Sequence, residues 1–293
     1  MSIVLGDNRY GKAENRIVRI TKEGPVHRIK DLTVSVALSG DLDATHLTGD
    51  NSGVLPTDTM KNTCFAFAQR HGAVEIEEYA LLLARHFVDS QPSITHARVE
   101  VDEHAWDRIG EGPHSFARTG GGTRTCTVHY DGTGVWVVSG LKDLTVLNST
   151  DSEFRGYVKD EYTTLAEARD RILATEIRAQ WRHSGASGES IESGYWGKSY
   201  ERARNALLEA FVRTHSRSLQ QTLFEMGTRV LEESPELCEV RLTLPNKHHF
   251  LYDTAPFGLD NPNETFIAAD RPYGLIEGGV HRDDAPDAGP AWT

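Results

Sequence analysis

One order of strand and helix signals runs through the chain twice, and this repeat constrains its fold more than any other feature. In the first half, Ile17-Ile20 and Leu32-Leu38 read as strands, with Val34, Val36 and Leu38 alternating with polar or small residues. Helical spacing follows in Met60, Cys64, Phe67 and Ala68, and again in Ile76, Tyr79, Leu83 and Phe87. Ile94-Trp106 and Thr123-Tyr130 are the next strands. The second half runs Gly134-Leu147 and Ile177-Arg182 as strands, Tyr200-Val212 and Leu219-Leu231 as helices, then Glu239-Leu244 and His249-Asp253 as strands. Short links between consecutive strands imply antiparallel hairpins, so the fold class is α+β, built from tandem ββααββ halves. A boundary near the turn Asp131-Gly134 predicts half-domains over 1–133 and 134–282, with a tail over 283–293 that is flexible or draped on the surface. Gly185-Gly197 reads as a flexible loop. Each half leaves one sheet face and its edges open, which predicts that neighbouring copies cover them.

Composition narrows the function. The 293 residues carry a formal net charge of -12, which argues against a nucleic-acid partner, because such binding relies on Lys and Arg displacing counterions. An anionic substrate would need local cations. No apolar run is long enough to span a bilayer, and Met1-Asp7 lacks the pattern of a signal peptide, so a cytoplasmic protein is expected. Cys64, Cys126 and Cys238 are widely spaced and form no CxxC pair, which fits reduced thiols and not a thiolate zinc site.

Five short constellations carry chemistry. Leu244-Pro245-Asn246-Lys247-His248-His249-Phe250 closes a strand with a proline, which predicts that the strand ends there and presents an amide, an ammonium and imidazoles at its tip. Arg9-Tyr10-Gly11-Lys12 supplies a lysine that is ordinarily a solvated charge, or a base if its surroundings lower its pKa. In Pro56-Thr57-Asp58-Thr59, Thr57 or Asp58 reads as a helix N-cap, at a helix start that also favours anions. Thr164 with Glu167 makes a capping-box pattern, predicting a helix from Leu165 with Arg171 in its second turn. Ser218 with Gln221 makes another, placing Leu219 and Gln220 in a first turn whose amides have no intrahelical partner. Capping and ligand recognition both remain open for that turn.

Taken in order, these stretches resemble urate oxidase, or uricase. The matching segments are RYGK (Arg9-Lys12), NSGVLPTDTMKNT (Asn51-Thr63), LTVLNSTDSEFRGYVKDEYTTL (Leu144-Leu165), DRIL (Asp170-Leu173), SLQQT (Ser218-Thr222) and LPNKHHF (Leu244-Phe250). The resemblance implies the tunnelling fold, with chains assembled as a homotetramer around a central tunnel and active sites between subunits. It implies oxidation of urate by dioxygen and water to 5-hydroxyisourate and hydrogen peroxide, with no metal or flavin. Lys12 then matches the catalytic lysine, Thr57 its partner, and His248 the histidine that completes a proton relay. Asn246, with Thr57, matches the group that holds dioxygen or water above the ring. Arg171 and Gln220, assigned to another subunit's share of the site, match the pincers that grip urate in its plane. Phe154 matches the stacking aromatic and Leu165 a pocket wall, while Asp58 and Leu219 match residues whose main-chain amides bind substrate. Lys247 and His249 are left as flanking residues turned away from it.

The chain departs from the pattern at Asn148 and Tyr157, neither of which has a role by resemblance. It ends Pro290-Ala291-Trp292-Thr293, which is not a peroxisomal signal, so a bacterial cytoplasm is expected. Rival readings are a zinc-dependent pterin enzyme of the same fold and a non-catalytic purine-binding protein. Adjacent His248 and His249 would point to opposite strand faces, which disfavours the zinc reading.

Overall fold

The computed structural model describes residues 2–73, 75–185, 194–269 and 271–293. The chain forms two compact units: Met1–Gly140, Trp181–Tyr200 and Asp284–Thr293 in the first, Leu141–Gln180 and Glu201–Asp283 in the second. This partition differs from a single cut near Asp131-Gly134 because strands β5 (Val135–Asn148) and β6 (Leu173–His183) and helix α4 (Tyr195–Arg213) each contribute residues to both. The architecture is α+β.

In the first unit, β1 (Tyr10–Thr21), β2 (Arg28–Gly40), β3 (Ile94–Arg108) and β4 (Phe116–Tyr130) pair antiparallel in sequence order. A short helix α1 (Asp43–Leu47), then α2 (Thr57–His71) and α3 (Ile76–Ser90), lie between β2 and β3 in sequence. The period-two alternation buries Val34, Val36, Val99 and Val101, and the helical period brings Met60, Cys64, Leu83 and Phe87 onto them. Each such side chain contributes about 1.5–3 kcal/mol by leaving water. Tyr79 joins this core without orphaning its hydroxyl, which donates to the Cys64 carbonyl at 2.7 Å.

At the start of β1, a Cβ on residue 11 would sit 1.8 Å from the Val36 carbonyl oxygen, so glycine is required for the strands to approach. The pairing then slips between Lys12 and Asn15, where Glu14 takes φ 56°. Asn15 repairs the gap by donating from Nδ2 to the Val34 carbonyl at 2.9 Å. A bulge of this kind re-aims the side chain beside it, here Lys12.

The first unit also buries polar groups. Arg124 reaches the fully buried Glu77 at 2.7 Å, and Ser139 Oγ donates to Glu77 at 2.8 Å while lying 3.0 Å from His183 Nε2. Burial pushes the Glu77 carboxyl up, and the Arg124 charge opposes that. The tail is held, not loose: Arg98 donates to the Thr293 carbonyl at 2.9 Å, Arg182 to that of Pro286 at 2.8 Å, and Ala291 is buried. Composition alone left a flexible and a draped tail both open because these anchors are long arginines far away in sequence.

In the second unit, α5 (Leu219–Glu233) packs on β7 (Leu237–Asn246) and β10 (Gly274–His281), which pair antiparallel. The helix lies close because Gly227 faces Val280 and Gly278 faces Leu223; a Cβ would approach to 2.6 Å and 3.0 Å respectively. Strand β8 (His249–Leu251) pairs with β9 (Phe266–Ala268) in a separate hairpin. One neighbour of β7 is therefore β10, and the His249-Asp253 segment is not. The glycines of β10 hid it, since they lower strand propensity while permitting close helix packing.

Other expectations change as well. Strand β7 continues through Pro245, paired with Leu275, to Asn246, paired with Gly274, because a proline removes only its own donor. No helix begins at Leu165. Asp160 closes a local turn instead, accepting from Tyr162 N at 3.0 Å, and Phe154 and Ala168 exchange main-chain bonds that hold the returning chain extended. Helix α2 starts at Thr57 behind Pro56 with no side-chain cap, so neither Thr57 nor Asp58 is its N-cap. Of the Gly185-Gly197 loop, 186–193 lie outside the described residues, and Tyr195 onward is already helical.

One buried pair predicts acid sensitivity. His129 is fully buried, 3.1 Å from His96 Nε2, and burial followed by the neighbouring His96 lowers its pKa to about 3. Its folded pKa lies below the ordinary value of about 6.5, so the unfolded chain binds the proton first and stability falls as pH drops from about 6.5 towards 3. Between pH 7 and 5 this amounts to about 2 kcal/mol. In His129→Asn, chemical denaturation at the two pH values should show that share of the loss removed; an unchanged pH dependence would refute the assignment.

Candidate active site

A cavity of about 1050 Å³ opens in the second unit, and most of the residues singled out by sequence line it: Phe154, Leu165, Arg171, Leu219, Gln220, Asn246 and His248. The Pro245-to-His249 turn thus shares one chain's cavity with Arg171 and Gln220, which the resemblance had assigned to different subunits' shares. His249 lines it too, so it does not turn away; its Nδ1 is 3.0 Å from the Lys247 carbonyl. Lys247 is engaged elsewhere, its amide donating to Ala174 O and its ammonium to Glu176, both at 2.8 Å.

Arg171 is fixed at two levels. Its amide donates to the Ser152 carbonyl at 2.9 Å and its Nε to Ser152 Oγ at 3.2 Å. The guanidinium carbon stands 5.3 Å from the centre of the Phe154 ring, within cation–π range. Burial lowers the Arg171 pKa, yet a guanidinium remains a cation at neutral pH. Ser152 belongs to a quoted motif but had no role there; a serine between acidic residues gives no sequence signal for anchoring an arginine.

Gln220 sits in the first turn of α5. Ser218 is the N-cap, accepting from Gln221 N at 3.2 Å, while the Gln221 side chain accepts from Arg217 N at 2.9 Å. The reciprocal bonds predicted from the Ser-x-x-Gln spacing are therefore made, with the outer one displaced by a residue. Leu219 is buried, so its side chain anchors the turn while Gln220 stays exposed.

His248 follows Asn246 across a single residue, and its carbonyl accepts from Ala269 N at 2.9 Å. Its ring stacks on Phe250 at 5.6 Å. Burial first, then the charges of Arg171 and His249, lower its pKa, so the imidazole is neutral at pH 7 and can accept a proton.

Lys12, Thr57 and Asp58 belong to the first unit. There the Tyr10 hydroxyl accepts from Leu55 N at 3.0 Å, tying the residue before Gly11-Lys12 to the segment entering α2. The Asp58 carboxylate is held below the usual range chiefly by a hydrogen bond from Lys61, with a smaller contribution from Lys12. Lys12 and Thr57 are part-buried, whereas Asp58 is exposed. Among the described residues, no group of three or more His, Cys, Asp or Glu gathers in a metal-binding cluster.

A family model described as uricase matches residues 8–129 and 137–277. The chain is 46% identical over 291 residues to a uricase from Arthrobacter globiformis, covering 99% of this chain and 94% of that one. It is 38% identical over 287 residues to a uricase from Dictyostelium discoideum, covering 95% and 97%. The crystal structure of the Arthrobacter globiformis uricase superposes with a TM-score of 0.94 at 46% identity, covering 100% of this chain and 99% of that one.

The α5 cap provides a local test. Ser218→Ala removes the acceptor for Gln221 N and should cost about 1 kcal/mol, read as a lowered unfolding midpoint. No measurable change would mean that Ser218 does not secure this turn.

Proposed function

The chain belongs to the uricase family and oxidises urate, and from that premise we propose that it does so without a redox cofactor, with its own residues moving protons and holding charge. The convergence of Phe154, Arg171, Gln220, Asn246 and His248 on one cavity is the observation that carries this reading. A planar purine stacks on Phe154 while the fork of Arg171 and the amide of Gln220 meet its edge heteroatoms. Leu219 and Asp58 contribute main-chain amides, and Leu165 closes a wall.

Dioxygen is a triplet, so its reaction with a closed-shell purine must pass through single-electron steps. Urate that has lost a further proton is electron-rich enough to donate directly. Lys12, coupled to Thr57 and His248, accepts that proton. Oxygen held near Asn246 and Thr57 takes an electron, and recombination forms a carbon–oxygen bond and a hydroperoxide at the ring carbon. Departure of hydrogen peroxide leaves an electrophilic carbon, to which water adds, giving 5-hydroxyisourate. The lowered His248 pKa supports a relay that needs neutral imidazole.

The assembly belongs to the same proposal: a homotetramer whose sites draw on two subunits and whose sheets close a tunnel. The exposed apolar run Phe250, Leu251, Tyr252, Phe257 and Leu259 supports burial against another copy. No described helix is long and apolar enough to cross a membrane. The buried thiols of Cys64, Cys126 and Cys238 support a reducing, cytoplasmic setting. Neither nucleic acid nor membrane is expected as a partner.

Mixing the protein with urate in air should consume urate and release hydrogen peroxide; intact protein that leaves urate unchanged would end this reading. Lys12→Met should lower turnover at least about a hundredfold, and wild-type turnover there would remove Lys12 from the mechanism. Activity that needs neutral His248 should fall as pH drops below about 6.5, through its depressed pKa. The pH profile of His248→Gln checks this: an identical acid limb would assign the ionisation elsewhere.

A further inference from the structure

We propose that Tyr157 is a positioning residue for the candidate site, holding the Phe154 ring as a fixed platform for a planar purine. Phe154 lines the cavity and Tyr157 does not, yet their rings are stacked with centroids 4.8 Å apart and planes 13° apart. Tyr157 therefore covers the rear of the platform. Gly156 makes this possible: its φ of 71° lies in the left-handed region, and the turn brings the chain back so that residue 157 falls behind residue 154.

The backbone of Phe154 is already fixed, since its amide donates to Ala168 O at 2.8 Å and its carbonyl accepts from Ala168 N at 3.0 Å. Main-chain bonds do not fix a ring about its side-chain torsions. A parallel aromatic behind it does, because offset stacking is lost when either ring tilts. Tyr157 is itself held, its hydroxyl donating to the Leu165 carbonyl at 2.6 Å, with Lys159 Nζ 5.6 Å from the ring centre. The tether links platform and pocket wall through one side chain. Pre-orienting a stacking ring lowers the ordering cost of binding without touching the reacting atoms, so the role should show in affinity and not in the chemical step.

This inference rests on the reading that urate stacks on Phe154, and the experiment separates the two. Wild type, Tyr157→Phe and Tyr157→Leu are compared for KM and kcat with urate, and for equilibrium binding of xanthine. Losing the ring stack in the Leu variant should raise KM and the xanthine dissociation constant about threefold to tenfold, with kcat within about twofold. The Phe variant keeps the stack and should stay within about twofold on every measure. An unchanged Leu variant, a Phe variant as weak as the Leu variant, or a loss confined to kcat would overturn the role of Tyr157. Should the Leu variant fail to fold, the Phe variant decides alone: a rise of about threefold or more in its KM sinks the proposal. Wild-type protein that leaves urate untouched sinks the functional reading instead.

Discussion

The bridge between Ser152 and Ser216 is the contact on which the candidate site depends. Glu153 N donates to Ser216 O at 2.7 Å and Ser216 N to Asp151 O at 3.1 Å, so a loop and the approach to α5 are locked side by side. From one side, Ser152 holds the main chain and the Nε of Arg171. From the other, Ser216 precedes the Ser218 cap, and its Oγ lies 2.9 Å from that of Thr222 inside the same helix. Arg171 and Gln220 are distant in sequence, but this short path of buried bonds sets their spacing. Two donor groups held this way keep their register, because donors displaced by an ångström no longer match a planar edge.

That geometry also answers an electrostatic difficulty. A chain of net charge -12 repels anions at long range, so selectivity must come from charge at short range with little water between. Arg171 meets this need because its fork is planar, stays charged despite burial, and faces an aromatic ring. The same charge acts on His248, helping burial to keep it neutral. One cavity thus holds a cation beside an imidazole that burial and that cation together keep neutral.

Much of this was legible in the sequence. Val34, Val36, Val99 and Val101 declare their strands by alternation, and Ser218 declares α5 by its cap. The failures have identifiable causes. Thr164 and Glu167 have the spacing of a capping box, yet Glu167 is drawn to Gly156 N at 3.4 Å and to Lys159 at 3.5 Å, so the helix loses to a turn. Strand β10 was hidden because Gly278 is selected for contact with Leu223 and not for strand propensity. Ser152 and Tyr157 were invisible as site residues because each acts on a neighbour that only folding brings close. Periodicity reports which face is buried; it does not report what a buried group holds in place.

The Pro245-to-His249 turn shows how such unseen support produces a site. Proline does not end β7, since pairing with β10 carries the chain on to Asn246. Lys247 then pins the turn, main chain to Ala174 and side chain to Glu176, and the His248 carbonyl is taken by Ala269 beside β9. Lys247 is thereby committed to structure, while Asn246, His248 and His249 line the cavity. Asn246 and His248 flank a residue whose polar groups are consumed by the scaffold, so both can face the same space while the backbone between them cannot shift. The lysine that looks most reactive in the motif is its fastener, and it is the residues on either side that line the cavity.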